Sequence, residues 1–139
     1  MLKPVAPTPR PNIHATHSNV FGYTVYWMLP EGVVTKDDWD DRMRVAMESV
    51  DSASLRDILT HLTVSPETTA QATLSTHHTS SDCLIVFKTS TSEATIIHEC
   101  LHAVFHIGRH IGLNPCKETE EWCCYILMHL VSEVKTSLA

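Results

Sequence analysis

The sequence predicts an α+β fold: a small, mostly antiparallel sheet carrying helices packed on one face. Three observations point there. Residues 20 to 29 alternate aromatic and β-branched side chains as a half-buried strand does, and residues 83 to 87 are continuously apolar, as in a central strand. Four further stretches repeat apolar residues at helical spacing. The strand patterns and the helix patterns are interspersed along 139 residues, a length that bounds a single domain able to bury its own core.

Taken in order, residues 1 to 12 contain Pro4, Pro7, Pro9 and Pro11, which forbid a ladder or a helix and predict an extended arm before a domain spanning 13 to 139. His14 and His17 follow with no assigned role. Val20 to Leu29 is the first predicted strand, with Tyr23, Val25 and Trp27 on one face and Thr24, Tyr26 and Met28 on the other. Pro30-Glu31-Gly32 ends it. Thr35 and Asp38 open a helix with Trp39, Met43, Ala46, Met47 and Val50 on one face; Asp37, Asp38, Asp40 and Asp41 crowd its favourable N-terminal end.

Ser52 to Leu62 predicts a second, shorter helix, closed before Pro66. Thr68 to Thr76 alternates as an edge strand, and His77 to Asp82 is then a hairpin loop into the central strand. A third helix spans residues 90 to 111, with Ser90 and Glu93 as a capping box and Gly112 as its stop. Asn114 and Pro115 read as cap and first residue of a fourth, over 115 to 136. A short link makes these two a hairpin.

The third helix carries the chemistry. Its centre reads His98-Glu99-Cys100-Leu101-His102, an HExxH run that sets two imidazoles four residues apart on one helix face, within reach of one tetrahedral Zn²⁺. Glu99 projects at a neighbouring angle, as a general base for a water the ion activates. The chain contains ten histidines, so an accidental match stays open. His106 and His110 continue the series, but the stripe drifts by about 40° per step, so they read as residues behind the ligands or on the surface.

Two imidazoles hold zinc weakly, and a catalytic site takes a third protein ligand while leaving one position open. Glu120 and Glu121 lie early in the fourth helix. Here the chain resembles the gluzincin metallopeptidases: eighteen residues separate His102 from Glu121, the HExxH-x18-E arrangement of their zinc aminopeptidase branch. The resemblance covers about residues 82 to 135. It implies a minimal zincin core of the sort found in small phage or bacterial proteins, one Zn²⁺ on His98, His102 and Glu121, Glu99 as base, and a peptide or protein substrate lying along the edge strand. An ordinary solvated edge is the alternative.

The departures are specific. Thermolysin-like members carry an aspartate four residues after the ligand glutamate, where this chain has Tyr125, a candidate oxyanion or ligand donor or simply a packed ring. The metzincin extension fails, since its Gly and third His would fall at Phe105 and Gly108. Glu120 stays open as an alternative third ligand, and His129 behind it. A non-catalytic module, fastened by metal and binding a partner protein, is the second functional expectation.

Composition excludes other classes. A net charge of −6 with scattered basic residues leaves no footprint for nucleic acid, and no apolar run is long enough for a membrane span. With no export signal and five cysteines that form no CxxC pair, free thiols in the cytoplasm are the expectation. Cys100 or Cys123 as a thiolate ligand is the sharper alternative.

Overall fold

A computed structural model describes residues 12–30, 33, 35–62 and 72–138. Residues 1–11 of the predicted arm and the start of the predicted edge strand, 68–71, lie outside them. Among the described residues, four strands and four α-helices follow in order: β1 (Ile13–Ser18), β2 (Tyr23–Met28), α1 (Lys36–Glu48), α2 (Ala53–Thr60), β3 (Ala72–Thr76), β4 (Cys83–Phe87), α3 (Glu93–Ile111) and α4 (Glu120–Leu138). The sheet order is β1-β2-β4-β3, so β1 and β3 are the edges. Its outer pairs are antiparallel and the central β2·β4 pair is parallel.

The sheet is covered on both faces, which corrects the expectation of helices on one. Val25, Trp27, Cys83, Ile85 and Phe87 pack with Ile96, Cys100, Val104 and Ile107 of α3 and Ile126, Leu130 and Val134 of α4. Met28, Leu84 and Val86 point the other way, into Trp39, Met43 and Ala46 of α1 and Leu55, Ile58 and Leu59 of α2. A strand alternates its side chains, so a strand buried on both sides must be apolar at every position. That is why β4 is buried throughout.

β1 was not expected from the sequence. Its polar Ile-His-Ala-Thr-His-Ser pairs antiparallel with β2, Thr16 opposite Val25, as an outer strand whose exposed side needs no apolar residues. His14 stacks on Trp27 and His17 hydrogen-bonds Thr24 Oγ1 at 2.7 Å.

Local signals set the helix ends. Thr35 and Asp38 form the reciprocal capping box expected of them, and Ser52 caps α2 by accepting from Leu55 N. For α3 the cap lies two residues later than expected: Ser92 accepts from Thr95 N, while Ser90 Oγ accepts from Ser92 N. Gly112, at φ 79°, takes the left-handed conformation that ends α3, and Leu113 N reaches back to Gly108 O. Asn114 and Pro115 do not start the fourth helix. A 3₁₀ turn, Lys117–Thr119, intervenes, and α4 begins at Glu120.

Candidate metal centre

Within α3 the pair spaced by four residues converges. His98 Nε2 and His102 Nε2 are 3.2 Å apart, with ring centroids 4.8 Å apart and planes inclined at 74°. Two nitrogens bound to one tetrahedral ion at about 2.0–2.1 Å lie about 3.3–3.4 Å from each other, a separation close to that of this pair, which also suits a hydrogen bond between the rings. Both rings are exposed. Glu99, between them in sequence, is only 6% exposed. Burial raises its carboxyl above the ordinary carboxylate range, and the flanking imidazoles pull it partly back.

The rest of the expected ligand set does not assemble. Among the described residues, no third His, Cys, Asp or Glu brings a donor atom within 4.8 Å of both ring nitrogens. Glu120 and Glu121 are exposed on the first turn of α4. The cause is the setting of each helix. Ile126, Leu130 and Val134 turn α4 onto the sheet, and at about 100° per residue Glu121 falls on the side opposite Leu130. Tyr125, four residues on, is 66% exposed on the same outer side.

On α3, Ile96, Cys100, Ala103 and Ile107 face the sheet, and Ile97 lines a groove with Leu127, Met128 and Val131 of α4. His98 and His102 lie about 100–140° further round than Ile97, on the flank away from α4. The hairpin exists, yet it presents its carboxylates to solvent rather than to the imidazoles. His129, the other rival, hydrogen-bonds Thr16 Oγ1 on β1 at 3.1 Å.

The remaining expectations resolve individually. His106 is not a surface residue: it is 4% exposed, and its Nε2 donates to Ser80 O at 3.0 Å. His110 Nδ1 donates to His106 O. Cys100 is buried within the motif and its thiol is pushed up to about 12, chiefly by burial, so it is a packed thiol rather than a thiolate. Cys123 is partly buried and free. Among the described residues no helix is long and apolar enough to cross a membrane.

A second constellation was not singled out in the sequence. Asp57 of α2 meets His77 and His78 of the β3–β4 loop, with His77 Nε2 at 3.3 Å and His78 Nδ1 at 3.2 Å from Asp57 Oδ2. Adjacent histidines in a hairpin loop were the only signal, since nothing local tells that α2 packs beside that loop. No protein family, curated protein or solved structure matches the chain.

Proposed function

We propose that the chain is a metal-dependent hydrolase of peptide bonds, working from the outer flank of α3. The observation that carries this reading is the 3.2 Å approach of His98 Nε2 to His102 Nε2 beside a buried glutamate. His98 and His102 would hold the ion; Zn²⁺ there supplies Lewis acidity to a scissile carbonyl. Glu99, held above the usual carboxylate range, suits taking a proton from the attacking water and delivering it to the leaving amine. The zincin resemblance rests on these three residues together with Glu121, which lies exposed on α4. With Glu121 facing solvent, this reading has two imidazoles among the described residues, one protein ligand fewer than a catalytic zinc site takes, so the ion is held weakly and its other positions are open to solvent and substrate.

The open sphere also favours the second reading, in which the metal fastens a non-catalytic module for a partner protein. One experiment separates them. Zinc-loaded, untagged protein is incubated with a peptide library and the products are read by mass spectrometry. The hydrolase reading expects cleavage by the wild-type chain and none by Glu99→Gln, with zinc retained in both. Absence of cleavage by the wild type, or equal cleavage by the variant, overturns it.

A further inference from the structure

The junction of α2 with the β3–β4 loop holds a chemistry that the flank of α3 does not use. Asp57 Oδ2 faces two imidazole nitrogens, His77 Nε2 at 3.3 Å and His78 Nδ1 at 3.2 Å, and one donor atom from each residue lies within 4.8 Å of the others. The two carboxylate contacts match the separation of about 3.3 Å between ligands of a tetrahedral ion. His77 is sheltered, its side chain 14% exposed, and Asp57 is 32% exposed. His78 is open to solvent on the outer side.

His77 is also held in the orientation a ligand needs. Its other nitrogen, Nδ1, lies 2.8 Å from Ser80 Oγ. In the tautomer that carries its proton on Nδ1, donation to that hydroxyl leaves the Nε2 lone pair toward Asp57, the arrangement of a metal-bound histidine. Without an ion, the one carboxylate oxygen can accept an N–H from each imidazole, the two ring centroids lying 5.0 Å apart. A dication uses both lone pairs and the carboxylate together. His61 stands on the other side of Asp57, its Nδ1 3.6 Å from Oδ1, beside a cavity of about 340 Å³.

We propose that Asp57, His77 and His78 form a second divalent-metal site, taking Zn²⁺ or a similar ion of N/O preference, that clips α2 to the β3–β4 loop. It is independent of the His98–His102 reading. The ligands come from two elements distant in sequence, so binding stabilises the folded chain over the unfolded one.

The test is a Co²⁺ titration of the untagged full chain carrying His98→Ala and His102→Ala, followed by visible absorption and by thermal unfolding. Both replaced residues are exposed, so the background folds. One equivalent should bind and raise the unfolding midpoint. Adding His78→Ala or Asp57→Asn should weaken binding at least about tenfold, and Ser80→Ala should weaken it by about tenfold through the freed ring of His77. His78 is solvent-exposed, so that variant decides the matter even where Asp57→Asn unfolds the chain. No Co²⁺ bound in the background chain, or affinity unchanged by His78→Ala, overturns the site.

Discussion

His106 shows how a single residue type can take opposite roles along one helix. Its neighbours in the four-residue series, His98 and His102, are exposed, whereas His106 is turned inward to bond Ser80 O. Burial, with smaller contributions from His110 and Arg109, holds its imidazole below the usual range, while backbone contacts to Ser80 and Asp82 offset part of that. The folded chain therefore binds fewer protons than the unfolded chain near pH 6. The stability from neutral His106 is fully present above the unfolded value of about 6.5 and is lost as pH falls through the lower folded value. His106→Gln keeps a donor for Ser80 O without that titration. Urea midpoints at pH 7.5 and 5.5 should separate less in the variant than in the wild type.

Trp27 is a buried indole held by a single hydroxyl. Its ring is 2% exposed and its indole N–H donates to Ser137 Oγ at 2.6 Å, tying the sheet to the last turn of α4. Ser137→Ala leaves that buried donor without its partner. A loss of about 1–3 kcal/mol in denaturant unfolding is expected.

Among the elements, the α3–α4 hairpin decides the most. Gly108 lies where the chain leaving α3 folds back; a Cβ there would sit 2.5 Å from Leu113 O, a backbone atom that cannot swing aside. Alanine improves helix propensity by about 1 kcal/mol, but overpacking costs about 1–3 kcal/mol, so Gly108→Ala should lower stability. A midpoint in urea at or above that of the wild type would mean that this approach is looser than the structure shows. The same hairpin predicts a null result: Glu121→Gln should leave zinc affinity unchanged, since Glu121 faces solvent on α4. Competition with a chromogenic chelator would read it, and a loss comparable to that of His102→Ala would return the glutamate to the ligand set.

Helical period and strand alternation made much of this layout readable. The faces of β2, the central place of β4, the cap at Thr35 and the stop at Gly112 follow from local rules and are found where those rules put them. The rotation of one helix against another is a tertiary property, which counting eighteen residues from His102 to Glu121 does not encode. The 3₁₀ turn Lys117–Thr119 and the seating of Leu130 on the sheet set it instead. β1 was hidden for a different reason: its positions toward α4 are His14 and Thr16, which stack on Trp27 and hydrogen-bond His129 instead of supplying an apolar stripe. Asp57 and the paired histidines were unreadable as a group because α2 and the β3–β4 loop meet only in the folded chain.

Across the whole molecule, a sheet lies between two helical layers, and imidazoles and carboxylates that could hold a metal gather at two places, on α3 and where α2 meets the β3–β4 loop. Asp82 and Ser80 bind the loop at one of them to its surroundings: Asp82 accepts from Thr24 N and Ser54 Oγ, and Ser80 O accepts from His106 of α3. The loop is therefore anchored to β2, α2 and α3 together. On the far flank of α3, the two exposed imidazoles and their buried glutamate carry the hydrolase reading. Its central claim is that His98 and His102 share an ion, and anomalous diffraction at the zinc edge from crystals of untagged, zinc-loaded protein tests it most directly. The expected result is a peak within about 2.0–2.1 Å of both Nε2 atoms, with solvent completing the sphere. Zinc-loaded crystals with no peak between those two rings would contradict it.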